Sequence, residues 1–310
     1  MKAVAITLAA AALAAGTLTA AAPAEASSGC KLPSSSIFRQ DVSKLPVRST
    51  VGWQLSPNSA FHPDFGSGTW EGRPFGIPVT KVTSSTPGRT VTFDYASESD
   101  RGTYPIPSNV RIEGGKNGDG DRHALLLNTS TCHLAELYYL RPNGSRWLAG
   151  SGAKWDVHSN AMRPKGWTSA DAAGLPIEPL LVSYADVARG DVQHAIRITM
   201  PSTSRSYVWP ASHQAGKSGV AGPPMGAYFR LKASVSTRGL GRQATVIAKA
   251  MKKYGVVLAD NGSAWYLSGT QDGRWDNDDL GTLKRLHGSD FEAVDVSSLK
   301  KSSTSYAARA

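Results

Sequence analysis

HALLLNTSTCHLAELYYL, residues 123–140, is the stretch whose reading decides the fold. His123–Asn128 and His133–Leu140 are apolar-rich runs of strand length. Thr129–Cys132 between them is short and turn-forming, so the stretch predicts a β-hairpin. The same grammar continues outward. His194–Met200 and Ser206–Trp209 predict a second hairpin across Pro201–Arg205. Tyr228–Val235 alternates Phe229, Leu231, Ala233 and Val235 with Arg230, Lys232 and Ser234, the period of a half-buried strand. Tyr254–Ala259 and Ala264–Ser268 flank Asp260-Asn261-Gly262-Ser263, whose Asn-Gly favours a tight turn. On the N-terminal side, Ile77–Val82 and Thr90–Tyr95 read as edge strands, and Pro74, Pro78, Pro87, Pro105 and Pro107 exclude long helices.

Helical periodicity is confined to short segments. Residues 241–254 place Val246, Ile247, Ala250, Met251 and Tyr254 on one face, with Gly255 as a stop. Asn277–His287 carries Leu280, Leu283 and Leu286 on one side and acidic residues in its first turn. Thr168 and Asp171 have capping-box spacing for a shorter helix. The expected architecture is mainly β: a β-sandwich or jelly-roll-like single domain over residues 27–300, with two or three short helices. Residues 301–310 are expected to form a flexible tail.

The first 26 residues read as a signal peptide. Lys2 opens it, an Ala-rich apolar run extends to Pro23, and Ala24-Glu25-Ala26 is a small-x-small cleavage pattern. A secreted, extracellular location follows, with no later stretch long enough to span a membrane. In that compartment Cys30 and Cys132 read as a disulfide, closing a loop of roughly 100 residues worth about 4–5 kcal/mol. Acylation of Cys30 is the rival reading. It lacks the aliphatic residue expected three positions earlier, and Cys30 lies too far beyond the apolar run.

The chain carries 34 Lys and Arg against 24 Asp and Glu, a formal charge of +10. That surplus favours an anionic partner such as a wall polymer or acidic glycan. The cations are scattered except for Lys249, Lys252 and Lys253, with no basic stripe interleaved with aromatics, so nucleic acid is not expected. A monomer is expected.

Six strings are distinctive: GWTSADAAGLPI (166–177), SNAMRP (159–164), PPMG (223–226) with FRLKAS (229–234), ADNGS (259–263), GDRH (120–123) and RWDN (274–277). Together they resemble a widespread family of secreted bacterial proteins with no assigned activity. The likeness runs across essentially the whole chain after the signal peptide. It implies a single domain and a Cys30–Cys132 bridge, and it carries over no catalytic residues.

Familiar catalytic signatures are missing: no G-x-S-x-G elbow, no H-E-x-x-H and no spare cysteine nucleophile. Gly216-Lys217-Ser218 lacks the upstream glycine of a phosphate loop. Asn117-Gly-Asp119-Gly-Asp121 resembles the start of a calcium loop but has Arg122 and Asn128 at its sixth and twelfth positions, so it reads as a turn. No cofactor or metal is expected.

The remaining candidates are histidines and aspartates at strand starts and loops. His123 and His194 open strands, each preceded by an aspartate (Asp121, Asp191), and His213 follows Trp209-Pro210-Ala211-Ser212. With Asp121, Arg122, Asp171 and Asp260 they form the expected catalytic set, able to act as general acids or bases where strand ends converge. Trp155, Trp167, Trp209, Trp265 and Trp275 sit beside polar residues and are the expected ligand-binding rings, since sugar faces stack on flat apolar surfaces. The function expected is a secreted polysaccharide- or cell-wall-glycan-processing enzyme, hydrolase or lyase. A non-catalytic glycan- or wall-binding protein is the alternative, and a zinc-dependent wall amidase or peptidase is a third reading.

Overall fold

The computed structural model describes residues 29–115 and 117–309; the expected signal peptide lies outside them. The fold is mainly β, with two principal sheets facing one another in sandwich fashion across a shared core. The smaller sheet has the order Ser151–Asp156, His133–Tyr138, Ala124–Asn128, Val79–Val82. Its centre is the expected hairpin, antiparallel with Ala124 opposite Leu137 and Asn128 opposite His133. Leu125, Leu127, Leu134 and Trp155 point to the main core. Leu126, Ala135 and Leu137 pack on the other face against a second cluster with Val91 and Ala149. Both faces are covered, so this sheet lacks the polar–apolar alternation of an exposed one.

The larger sheet has six strands in the order His62–Pro63, Tyr266–Leu267, Ile196–Met200, Val256–Asn261, Tyr228–Leu231, Phe291–Val294. Two expected pairings are corrected here. Ile196–Met200 does not pair with Ser206–Trp209. It lies between Val256–Asn261, to which it runs parallel, and Tyr266–Leu267. The Asn261-Gly262 segment is therefore not a hairpin turn, because another strand separates its two arms. Strand Tyr228–Leu231 is buried on both faces, and Arg230 is admitted by pairing with Glu292 at 2.7 Å.

The two long helical patterns are present. Arg242–Lys253 is an α-helix that stops at Gly255, whose φ of +75° and close approach to the Phe229 carbonyl suit glycine alone. Asp279 caps its start, accepting from the backbone N–H groups of Gln243 and Ala244 at 3.0 and 2.9 Å. Asn277–Gly281 is α-helical and continues as a 3₁₀ turn through Arg285. The helix expected at Thr168 does not form. Thr168 instead donates its hydroxyl to the Asp171 carbonyl, and the segment is a chain of turns. A short helix at Tyr184–Arg189, capped by Ser183, stands where none was expected.

Cys30 and Cys132 form the disulfide, with Cα atoms 5.4 Å apart. The tail expected to be flexible is tied down. Ser305 bridges Ala161, Ala307 bridges Ser36, and Tyr306 is buried against Phe38. No described helix is long and apolar enough to cross a membrane.

Candidate active site

The GWTSADAAGLPI segment runs between the sheets and organises their junction. Ser169 Oγ donates to the Leu175 carbonyl at 2.6 Å, and Ser151 Oγ donates to the Ser169 carbonyl at 2.6 Å. Ala173 N–H donates to the Ala259 carbonyl at 2.8 Å, and Ser212 N–H to the Ala173 carbonyl at 3.0 Å. Gly174, at φ +71°, leaves no room for a side chain, because an added Cβ would collide with Ser212 Oγ.

Beside this segment is a cavity of about 380 Å³, bounded by Tyr95, Glu98, Asp121, Tyr138, His213 and Asp260 among others. Four elements supply these groups. Tyr138 ends one strand of the smaller sheet, Asp121 precedes another, Glu98 ends a 3₁₀ turn, and Asp260 comes from Val256–Asn261. Asp260 owes its position to a bulge. Ile198 is opposite Leu258 but Thr199 is opposite Asp260, so Ala259 is the extra residue. An irregularity of this kind redirects the next side chain, here to the cavity.

Asp260 is the most perturbed carboxyl there. Desolvation first, then the negative charge of Asp171, push its pKa up to about 8, with Arg197 opposing. Its oxygens accept from the N–H groups of Asn261 and Ala172, at 2.7 and 3.2 Å. Behind it lies a buried ion pair: Arg197 Nε donates to Asp171 Oδ2 at 2.8 Å, and Nη2 donates to Oδ1. His213 Nδ1 is 2.7 Å from the Ala172 carbonyl, which makes it the protonated nitrogen. Its Nε2 stands 3.6 Å from Glu98. Glu98 also accepts from Thr168 N–H at 3.0 Å. The Asp121 carboxylate accepts no hydrogen bond from a side chain or backbone among the described residues.

Of the expected catalytic set, Asp121, Asp260 and His213 border this cavity. The other four members have other positions. His123 is buried, with Nδ1 2.6 Å from Glu113 and Nε2 3.2 Å from the Ala170 carbonyl. Burial opposes its charge, but Glu113 overcomes this and raises its pKa to about 9, so it is a charged strut behind the segment. His194 lines a different cavity, near the disulfide, and is 4.0 Å from Asp186. Burial lowers its pKa. Arg122 has a φ of +51° and donates to the carbonyls of Leu140, Gly115 and Gly118, which fixes a turn. Asp171 serves the site through Arg197. Asp119 of the calcium-like stretch pairs with Arg73.

The tryptophans divide similarly. Trp265 and Trp275 are core rings, donating to the Leu55 and Thr270 carbonyls at 2.7 and 2.9 Å. Trp155 is buried and donates to Glu136 at 2.9 Å. Trp167 lies under Arg163, 5.4 Å from its guanidinium carbon. Trp209 is half-buried and borders a larger cavity next to the first.

Sequence reasoning missed Tyr95, Glu98, Glu113, Tyr138 and Arg197. Arg197 had a visible signal, a charge placed between Ile196 and Ile198 in an apolar strand. Such a residue is buried with a partner or not at all. Glu98 and Tyr95 lie in a loop whose approach to the cavity depends on non-local packing.

Compared with known protein families, curated proteins and solved structures, the chain matches none.

Proposed function

We propose that the protein is a secreted hydrolase of polysaccharide or cell-wall glycan, with Asp260 as proton donor. The observation that carries this reading is Asp260 itself: a carboxyl held protonated at neutral pH, bordering a cavity with two further carboxylates, Asp121 and Glu98. Glycoside hydrolysis needs that division of labour. One carboxylic acid protonates the leaving oxygen, and one carboxylate activates water or attacks the sugar carbon. Asp121 takes the second role, because it borders the cavity and its carboxylate accepts no hydrogen bond from any other described residue. It also contributes to the raised pKa of Asp260, as paired carboxylates do. Tyr138 and His213 orient the sugar hydroxyls, and the Asp171–Arg197 pair sets the field at Asp260.

The test is incubation with acidic, neutral and wall-derived polysaccharides, reading reducing ends and unsaturated products together. New reducing ends without unsaturation support the hydrolase. Unsaturated products would replace it with a lyase acting through His213 or Tyr138. Polymer retention without any product would replace it with a binding protein.

A further inference from the structure

We propose that the larger cavity beside the Asp260 site binds the carboxylate groups of a polyuronate chain, a reading that deepens the proposed function and rests on it. This cavity measures about 890 Å³ and is lined by Arg48, Lys165, Arg205 and Lys300, with Tyr207 and Trp209 among them. It contains no Asp or Glu. Its fifth cation, Arg163, is neutralised by Asp100 at 2.6 Å. Lys165, Arg205 and Lys300 form no ion pair with any described residue, and all three are exposed or half-exposed. Cations gathered in a concave surface without acidic partners concentrate a positive field there, beyond what solubility requires.

A second observation is independent of charge. Tyr228 lines the same cavity, is 2% exposed, and its hydroxyl has no hydrogen-bond partner. A buried hydroxyl left unsatisfied costs free energy that a polar ligand recovers. The aromatic component suits a sugar. Trp209 Nε1 donates to the Ser305 carbonyl at 2.9 Å, which holds the ring in place while it remains half-exposed.

The two cavities are joined along the chain. Gln214 lines both, Ser212 lines the larger and His213 the smaller. A chain with one carboxylate per sugar would lie with its acidic groups on Arg205, Lys165 and Lys300 and a glycosidic oxygen near Asp260. Each carboxylate accepts charge-assisted hydrogen bonds, and arginine offers a two-pronged match.

The experiment measures equilibrium binding of polygalacturonate to Asp260→Asn protein, which retains the larger cavity without turnover. The same polymer with its carboxylates methyl-esterified and poly(glycerol phosphate) are run alongside. The expected result is binding that weakens at least tenfold on esterification and equally in the K165A/R205A/K300A variant, with a shallower salt dependence in the latter. Tyr228→Phe should also weaken binding while the fold remains at least as stable. Unchanged affinity in the triple variant, equal affinity for the esterified polymer, or preference for poly(glycerol phosphate) would overturn the assignment. Carboxylate-dependent binding with no cleavage by the wild-type protein would count against the hydrolase alone. Cleavage of neutral polymers without carboxylate preference would count against the polyuronate site alone.

Discussion

Asp171 and Arg197 are joined by two hydrogen bonds inside the protein, where their side chains are 0% and 4% exposed, and both charges act on Asp260. Asp171 raises the pKa of that neighbour and Arg197 lowers it. The pair therefore ties the loop at 166–177 to strand Ile196–Met200 and adjusts the proposed proton donor.

Replacing Asp171 with Asn removes the raising charge and leaves the lowering one. The alkaline limb of the activity profile should move to lower pH, which initial rates across a pH series would show. Stability should also fall by about 3–5 kcal/mol, because Arg197 is left as a buried charge without its counterion. An unmoved limb would mean that Asp171 has a structural role only.

Asp260 links activity to stability. Its folded pKa of about 8 lies above the unfolded 3.8, so the folded state holds this proton more tightly. The contribution is fully present below the unfolded value and is lost as pH rises through about 8. Asp260→Asn cannot ionise, so its advantage in denaturant midpoint over the wild type should grow between pH 5 and 9.

His123 behaves in the same direction for another reason. Glu113 lifts its pKa from 6.5 to about 9 against the cost of burial. Its stabilisation is complete below about 6.5 and lost as pH rises through about 9. Thermal scans of His123→Asn should show a flatter dependence over that window, while His194→Ala leaves any cleavage activity intact.

The bridge between Cys30 and Cys132 spans a sequence separation of 102 residues. Replacing both with alanine should cost about 2–5 kcal/mol in equilibrium unfolding, chiefly by freeing the unfolded chain. Trp265→Ala should cost a similar 3–5 kcal/mol, because it empties a core position where the ring stacks on Phe291 and meets Phe229 edge-on. Trp209→Ala should cost much less stability and weaken polymer retention instead.

The central hairpin is legible in residues 123–140 because its signal is local: two apolar runs and a short polar turn. The Arg242–Lys253 helix is legible for the same reason. The neighbours of Ile196–Met200 are not, since parallel pairing with Val256–Asn261 joins segments far apart in the chain and leaves no local trace. At the site, Asp121, His213 and Asp260 can be picked from their positions in turns and strand ends. The burial of Trp265 and Trp275 cannot, because a tryptophan beside polar residues reads alike whether its ring faces solvent or core. Arg122 misleads because a cation beside a strand start resembles an electrophile until its carbonyl partners are known.

The central claim is that Asp260 donates a proton to a glycosidic oxygen. Its most direct test is the pH dependence of kcat/KM for polysaccharide cleavage by the wild type and Asp260→Asn. The account predicts new reducing ends, an alkaline limb with an apparent pKa near 8, and loss of at least a hundredfold in the variant. Cleavage by Asp260→Asn at the wild-type rate, with the same alkaline limb, would contradict it.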